Sequence, residues 1–190
     1  MQILSKEEIL LRKEEVTRKV SEGIIFIHPT DTIYGLGCDA TNKEAVDKIR
    51  KLKKRKEDPF SVIAPSKKWI EDNCELSDEA RTWLKKLPGP YTFVLKLKNK
   101  SCVANNVSPG KETLGVRMPN HWVKDIVKTL GVPIVTTSAN QTGKEFMTSI
   151  KNLDPEIKKG LDFAVYEGEK RGKPSTIVHL EGEEVKVRER

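Results

Sequence analysis

A twelve-residue run that follows a short apolar segment constrains the fold of this chain most. Residues 24–27 predict a buried strand, and directly beyond it comes the run Pro29-Thr30-Asp31-Thr32-Ile33-Tyr34-Gly35-Leu36-Gly37-Cys38-Asp39-Ala40. Proline ends the strand, and the hydroxyls, the carboxylate and the two glycines that follow are typical of a binding loop. An ordinary turn closed by the Asp31 side chain is the structural alternative.

The order of the other predicted elements indicates one α/β domain with a mixed sheet over residues 1–190. Hydrophobic and capping patterns predict helices over 5–21, 42–53, 66–73, 77–87, 123–130 and 154–160. Strands are predicted over 24–28, 60–64, 91–98, 114–118, 133–137, 163–166, 176–180 and 185–188. The chain shows no internal repeat and no linker that would divide it.

The charge balance favours an anionic partner. Lys and Arg number 35 against 28 Asp and Glu, which gives a formal net charge of +7. A nucleotide, RNA or an acidic lipid would suit that charge, and a lysine- and glutamate-rich solvated surface is the plain alternative. Three widely spaced cysteines and three scattered histidines predict reduced thiols and no protein-held metal. Without an apolar signal segment or a membrane-length run, the expected location is the cytoplasm.

A cationic run and a buried arginine are two further candidates for a site. Lys53-Lys54-Arg55-Lys56 closes the second predicted helix, where it would either clasp phosphates or complement the helix dipole. Arg117 lies in an apolar predicted strand, between Val116 and Met118. A buried arginine needs a partner, which is either a ligand carboxylate or an internal Asp or Glu.

The third candidate is Ser138-Ala139-Asn140, which leaves a predicted strand directly after Thr136 and Thr137. Ligands in open α/β sheets bind beyond the carboxyl ends of the strands, and the loop from Pro29 meets the same description. A plain helix cap is the alternative for Ser138 and Asn140.

Six short motifs then give the chain a resemblance to a known family. They are Pro29-Thr30-Asp31-Thr32-Ile33-Tyr34-Gly35-Leu36-Gly37, Lys53-x-Arg55, Pro88-Gly89-Pro90-Tyr91-Thr92, Gly115-Val116-Arg117-Met118-Pro119, Ser138-x-Asn140 and Ser175-Thr176-Ile177. In this order and spacing they resemble the YrdC family of threonylcarbamoyl-AMP synthases over nearly the whole chain.

That resemblance implies a twisted, partly open α/β barrel of mixed sheet with flanking helices and a basic concave face. It implies the reaction of L-threonine, bicarbonate and magnesium-bound ATP to threonylcarbamoyl-AMP and pyrophosphate. The product would pass to a tRNA-modifying transferase, and the protein itself would contact tRNA or other RNA.

The resemblance also assigns roles to residues. Those implied for threonine are Thr30, Thr32, Tyr34, Arg117, Thr136 and Ser175. Those implied for ATP are Lys53, Arg55, Asp58, Thr113, Ser138, Asn140 and Arg188. Of these, Lys53, Arg55, Ser138 and Asn140 are expected to take part in catalysis. No residue is expected to hold a metal.

The sequence departs from the family pattern at several positions. Lys54 and Lys56 stand where a small residue and proline are usual, and Asp58 replaces an asparagine expected near ATP. Ile63 replaces a histidine expected near threonine. The pair Glu145-Phe146 replaces a Pro-Ser pair that often touches nucleotide, and after Arg188 the usual Pro-Gly and second domain are missing.

Two other functions compete with the synthase. One is a basic module of the same fold that binds double-stranded RNA or tRNA without turnover, which suits the charge but leaves the Thr30 and Thr32 loop unexplained. The other is a carbamoyl-transfer enzyme that passes carbamoyl-adenylate to a different acceptor.

Overall fold

The computed structural model describes residues 1–189, so residue 190 of the predicted domain lies outside it. The strands are β1 (Gln2–Leu4), β2 (Phe26–His28), β3 (Gly35–Gly37), β4 (Ser61–Ile63), β5 (Tyr91–Lys96), β6 (Thr113–Arg117), β7 (Ile134–Ser138), β8 (Phe163–Val165), β9 (Thr176–His179) and β10 (Lys186–Arg188). The helices are α1 (Lys6–Leu11), α2 (Lys13–Ser21), α3 (Lys43–Lys53), α4 (Lys67–Asn73), α5 (Asp78–Leu84), α6 (Val123–Leu130), α7 (Pro155–Lys159) and a 3-10 turn at Ile150–Asn152.

All the strands belong to one twisted, open mixed sheet, which confirms the predicted α/β class. Their order is β1-β8-β2-β3-β7-β4-β6-β5-β9-β10, with β1 and β10 at the two edges. Strand pairs β1–β8, β2–β8, β4–β6 and β5–β9 are parallel, and the remaining pairs are antiparallel. The parallel pairs join segments distant in sequence, which brings the predicted site motifs into one sheet.

Alternation along the strands divides the sheet into two faces. In β4, Val62 packs into a large core, whereas its neighbour Ile63 packs into a smaller apolar cluster. Successive side chains of a strand point to opposite faces, so the two clusters lie on opposite sides of the sheet. Helices α3, α4 and α5 contribute to the large core, and α1, α2 and α6 to the small one. The small cluster includes no residue of β5, β6 or β9, and on the same side of those strands a cavity is formed.

The first helix prediction is partly wrong. The capping box forms as expected, because Ser5 Oγ accepts from the Glu8 amide at 3.2 Å and Glu8 Oε2 accepts from the Ser5 amide at 2.8 Å. The chain then breaks at Arg12, whose φ of −100° and ψ of 24° separate α1 from α2. Both helices still bury apolar residues in the small cluster, including Ile9 and Val16.

Two short strands escape prediction. Strand β1 has only three residues and pairs with β8, which lies at the other end of the chain. Strand β3 falls inside the predicted binding loop and contains two glycines, which are poor strand formers. It lies between β2 and β7 and hydrogen-bonds to both, so it carries the loop motif into the middle of the sheet.

Candidate active site

A cavity of about 600 Å³ opens on the sheet face that carries the small apolar cluster. Its floor follows β6, where Thr113, Gly115 and Arg117 line it in alternation with the core residues Leu114 and Val116. A Cβ on Gly115 would lie 2.5 Å from Ser61 Oγ. The absence of a side chain at Gly115 therefore leaves space in the middle of the cavity floor. The volume lies within the range of small-molecule and cofactor sites, about 300–1,000 Å³.

The two glycines of β3 make room for the imidazole of His28. A Cβ on Gly35 would lie 2.7 Å from His28 Cε1 and 3.0 Å from Thr136 Oγ1, and one on Gly37 would lie 3.0 Å from His28 Cδ2. Neither glycine has a positive φ, so close approach is the reason for glycine here. Burial lowers the pKa of His28 to about 4, which keeps the ring neutral.

Hydroxyl groups of the first loop form a directed chain of hydrogen bonds. Thr30 Oγ1 donates to the Ile33 carbonyl at 2.7 Å and lies 3.0 Å from Thr32 Oγ1. Since a hydroxyl has one proton, Thr32 must donate to Thr30. Thr32 Oγ1 in turn accepts from Arg117 Nη2 at 3.3 Å. The loop is therefore fixed before any ligand enters.

Asp31 is an internal partner of Arg117. Arg117 Nη2 lies 2.8 Å from Asp31 Oδ1, and both side chains are about nine-tenths buried. Asp31 Oδ2 accepts from the Asn120 amide at 2.8 Å. Asp31 thus reaches strand β6 and the loop after it instead of closing its own turn. Of the two alternatives for Arg117, the internal carboxylate is present, and the pair orients the guanidinium at the cavity wall.

The segment 167–175 lies beside the end of the cavity that Arg117 and Tyr34 line. The Tyr34 hydroxyl donates to the Gly168 carbonyl at 2.6 Å and accepts from the Glu167 amide at 3.1 Å. Burial raises the pKa of Tyr34 to about 12, so the phenol keeps its proton. The backbone of Gly172 lies so close to the Thr32 carbonyl that a Cβ would clash. Ser175 lies opposite β5, with its Oγ 2.7 Å from Thr92 Oγ1.

Lys53 lies beneath the Ser138–Asn140 turn, not in the cavity wall. Its ammonium donates to the Ser138 carbonyl at 2.5 Å, to the Asn140 carbonyl at 2.6 Å and to Asn140 Oδ1 at 3.2 Å. Burial, aided by the charge of Arg55, lowers the pKa of Lys53 to about 7. The side chain is 2% exposed, so in this conformation it supports the turn that a ligand would contact.

The Ser138–Asn140 turn is a loop and does not start a helix. Ser138 Oγ donates to Asn140 Oδ1 at 2.5 Å, and Asn140 Nδ2 donates to the Lys144 carbonyl at 2.6 Å. Within residues 1–189 the next helical turn begins only at Ile150. The helix-cap alternative for this motif is therefore wrong, and the serine lines the cavity directly after β7.

Arg55 reaches the cavity because α3 ends in an unusual residue. Lys54 takes a left-handed conformation with φ of 52°, which turns the chain after Lys53. The Arg55 guanidinium then lies 5.1 Å from the centroid of the Phe60 ring and donates to the Pro59 carbonyl at 2.8 Å. Asp58 lies 3.8 Å from Arg55 Nε, and its side chain is 71% exposed.

Arg50 is a structural residue that sequence reasoning missed. It is 8% exposed and donates to the carbonyls of Asn106 at 2.7 Å and Lys56 at 2.9 Å. Its guanidinium also lies 4.6 Å from the Phe60 ring. Arg50 therefore fixes the loop that presents Arg55.

The structure brings most predicted site residues into one cavity. Those that line it are Thr30, Tyr34, Arg55, Thr113, Arg117, Thr136, Ser138, Ser175 and Arg188. Those that lie outside its lining are Thr32, Lys53, Asp58 and Asn140. Polar or charged lining residues to which sequence reasoning gave no role are Ser61, Thr92, Ser108, Lys111, Thr137, His179 and Glu181. Strand alternation could have found Ser61, Thr92 and His179, because each lies next to a core residue in a predicted strand.

Three further observations concern metal ligands, cysteine thiols and membrane-spanning helices. Among residues 1–189, no group of three or more His, Cys, Asp or Glu side chains is placed to hold a metal ion. Cys38, Cys74 and Cys102 carry free thiols, and burial raises the pKa of Cys74 to about 12. None of the helices described here has the length and apolar composition to cross a bilayer.

Comparison with known proteins places the chain in a family. Residues 18–190 match the Sua5/YciO/YrdC family model, which carries the description "Telomere recombination". A Methanocaldococcus jannaschii protein, provisionally named a threonylcarbamoyl-AMP synthase, is 35% identical over 96% of this chain and 86% of its own length. The threonylcarbamoyl-AMP synthase of Vibrio campbellii is 31% identical over 86% of this chain and 91% of its own.

A solved structure agrees with this placement. The crystal structure of P. abyssi Sua5 complexed with L-threonine superposes with a TM-score of 0.86 at 28% identity and covers 98% of this chain. Only 56% of that longer protein is covered, so this chain spans little more than half of its length. On the family model and the relatives together, the chain belongs to the Sua5/YciO/YrdC family.

Proposed function

We propose that this chain is a threonylcarbamoyl-AMP synthase that converts L-threonine, bicarbonate and ATP to threonylcarbamoyl-AMP and pyrophosphate. The observation that carries the proposal is one cavity with two chemically different ends. The Arg117–Asp31 pair and buried hydroxyls lie at one end, while Arg55, Thr113 and Ser138 approach the other. The names of the two relatives and the threonine in the P. abyssi structure support the same assignment.

The first end suits threonine. Arg117 offers a planar fork that matches a carboxylate, and Asp31 holds that fork in place. Thr136 and Ser175 line the cavity with hydroxyls that can pair with the amino acid. Tyr34 and Thr32 act behind them, because their polar groups hold segment 167–175 and the guanidinium. Bicarbonate would condense with the threonine amine beside these groups to give a carbamate and water.

The second end suits the triphosphate of ATP. Arg55 and Arg188 supply charge, and Ser138 and Thr113 supply hydroxyl donors. Lys53 and Asn140 shape the Ser138 turn from below. Magnesium would arrive on the phosphates and be held mainly by them and by water, which agrees with a hard cation that keeps much of its hydration.

Positioning is then the main source of catalysis. A carbamate oxygen attacks the α-phosphorus of ATP, a P–O bond forms, and pyrophosphate leaves with the electrons of the broken bond. No protein nucleophile is needed for this step. Orienting two bound reactants can supply roughly 7–11 kcal/mol, whereas one charged hydrogen bond supplies about 1.5–3 kcal/mol. Loss of a single cation should therefore slow the reaction without abolishing it.

Three departures from the family pattern fit this picture. Ile63 is fully buried in the small apolar cluster and does not line the cavity. Phe146 does line it and brings an aromatic ring to the wall that also holds Arg55 and Ser138. Lys54 supplies the left-handed turn between Lys53 and Arg55.

The proposal includes a cellular setting. We infer that residues 1–190 form one domain and that its product is handed to a tRNA-modifying transferase. Such a protein would work in the cytoplasm, where that tRNA is found. The net charge of +7 would also favour passing contacts with RNA.

The decisive experiment is pyrophosphate release with isotope-labelled bicarbonate. Release that requires threonine, bicarbonate and ATP together, with label in threonylcarbamoyl-AMP, supports the synthase. Tight, salt-sensitive RNA binding without turnover would favour the binding module instead. Turnover with other amino acids in place of threonine, and none with threonine, would favour a carbamoyl-adenylate enzyme with a different acceptor.

A further inference from the structure

One carboxylate stands among the cations of the cavity. Of the described residues that line it, Arg55, Lys111, Arg117 and Arg188 are basic, and Glu181 alone is acidic. A carboxylate beside the bare oxygens of a triphosphate repels them, so we expect Glu181 to face some other part of a nucleotide. Its side chain is 31% exposed, which leaves it accessible from the cavity.

Glu181 is held by a neighbour on the same face. His179 Nδ1 lies 2.9 Å from Glu181 Oε1, and both residues line the cavity where β9 ends. His179 pairs with Val94, which pairs with Gly115 in the middle of the floor. The imidazole and the carboxylate therefore border the open floor from the side opposite to β7.

The register separates this pair from the threonine end. Arg117 lies two residues beyond Gly115 in β6, next to Ile63 in β4. His179 and Glu181 lie at the other end of β9 from Ser175, which precedes that strand. The ammonium group of threonine would therefore bind away from Glu181, near Arg117 and Tyr34.

ATP itself offers few hydrogen-bond donors. They are the two ribose hydroxyls and the exocyclic amine of adenine. Adjacent hydroxyls suit a carboxylate best, since its two oxygens can accept from both at once. Acidic residues bind ribose hydroxyls in the same way in dinucleotide-binding sheets.

We propose that Glu181, positioned by His179, accepts hydrogen bonds from the ribose hydroxyls of ATP and makes the site selective for ribonucleotides. This inference rests on the proposed function, since it concerns the nucleotide of that reaction. Glu181 is then a specificity-determining residue, and His179 is a positioning residue that acts through it.

The test compares the binding of ATP, 2′-deoxyATP and 3′-deoxyATP to the chain of residues 1–190. In the unaltered protein, ATP should bind about 10- to 100-fold more tightly than either deoxynucleotide, as expected for hydrogen bonds to a charged group. Glu181→Ala removes both hydrogen bonds, so it should weaken ATP the most. Each deoxynucleotide keeps one ribose hydroxyl and should be weakened less, which leaves little preference for ATP over either of them. His179→Ala should raise the KM for ATP by less than Glu181→Ala does and leave kcat unchanged. His179→Gln should lower the KM part of the way back.

Glu183→Ala is the matched control. Glu183 has the same charge, lies two residues on in the same turn, is exposed and does not line the cavity. It should leave the preference for ATP intact. Equal loss in the Glu183 and Glu181 variants would mean a general charge effect and would overturn the proposal.

Two further results would also overturn it. A Glu181→Ala protein that still prefers ATP over both deoxynucleotides, but has lost its preference for ATP over N6-methyl-ATP, would place Glu181 at the base. A changed magnesium requirement with unchanged ribose preference would place it at the metal. Calorimetric binding separates this inference from the reaction, because ribose selectivity in a protein without turnover would retain the inference and reject the synthase. Absence of nucleotide binding would reject both.

Discussion

At the scale of single residues, we propose that the buried Arg117–Asp31 pair marks the end of the cavity that binds the carboxylate of threonine. Arg117→Ala should weaken threonine binding by about 10-fold or more, the loss expected for a charged hydrogen bond, and change ATP binding by less than about 3-fold. Titration calorimetry with each ligand measures both. Thr113→Ala, four residues away on the same face of β6, is the matched control. It should weaken ATP binding more than threonine binding. Equal losses for both ligands would remove Arg117 from its assigned role.

Lys53 gives a second prediction for a single residue. Lys53→Ala leaves the half-buried carbonyls of Ser138 and Asn140 without their donor, so the turn should shift. We expect the KM for ATP to rise about 10-fold with little change for threonine, and the free energy of unfolding to fall by about 1–3 kcal/mol. Steady-state kinetics at fixed threonine checks the first effect. Unchanged ATP kinetics would exclude Lys53 from supporting the nucleotide end.

His28 predicts an acid sensitivity. Its pKa is about 4 in the folded protein, below the ordinary 6.5, so between these values the unfolded state binds more protons. The contribution to stability is complete above pH 6.5 and is lost as the pH falls towards 4, by about 3 kcal/mol in all. His28→Phe should flatten this part of the pH profile in urea unfolding. A slope that persists in the variant would assign the effect to another group.

The residue scale also shows how far sequence reasoning reaches. Arg117 in an apolar strand predicted a charged partner, but only the structure identifies it, because Asp31 is 86 residues away in sequence. Glu181 and His179 carried no motif at all and enter the cavity through strand register. Lys53 was predicted from its charge, yet local sequence does not reveal that its ammonium points under the turn.

At the scale of elements, strand β3 depends on the absence of side chains. Gly35→Ala would push a Cβ against the His28 ring and Thr136 Oγ1 and should lower the free energy of unfolding by about 1–3 kcal/mol, as overpacking does. Gly182→Ala is the control, since nothing lies within 4 Å of its Cβ position and its φ is not positive. Chemical denaturation measures both.

A double substitution tests the cause. If the His28 ring causes the strain, His28→Ala combined with Gly35→Ala should cost less than the two single changes together. Additive losses would mean that contact with β7, not with His28, requires the glycine.

Helices and strands with a strong local pattern were predictable, whereas the two short strands without one were not. Helix α3 begins after its Asn42 cap and ends at Lys53 as expected. Strand β1 has too few apolar residues to show a pattern and exists because β8 offers it hydrogen bonds. The break between α1 and α2 leaves the apolar period intact, so periodicity alone predicted one helix.

At the scale of the whole molecule, one sheet with a core on each face predicts cooperative unfolding. Trp69 and Trp83 pack against the large core, whereas Trp122 packs against the small cluster. We therefore expect three variants, each with one tryptophan retained, to unfold in a single step in urea. In each variant the midpoint from tryptophan fluorescence should equal the midpoint from circular dichroism. A fluorescence midpoint for Trp122 that differs from the circular dichroism midpoint would show that the two faces unfold independently and would contradict the single-domain proposal.

The floor strand β6 carries Thr113 at one end and Arg117 at the other. Four residues of extended chain span about 13 Å. This spacing fixes the distance between the two residues that are assigned to ATP and to threonine. A slip of one residue would turn Leu114 and Val116 towards the cavity and Arg117 into the large core. A different acceptor molecule would therefore have to fit the same distance between Thr113 and Arg117. Selection for such an acceptor would change the residues of the cavity walls and leave β6 unchanged.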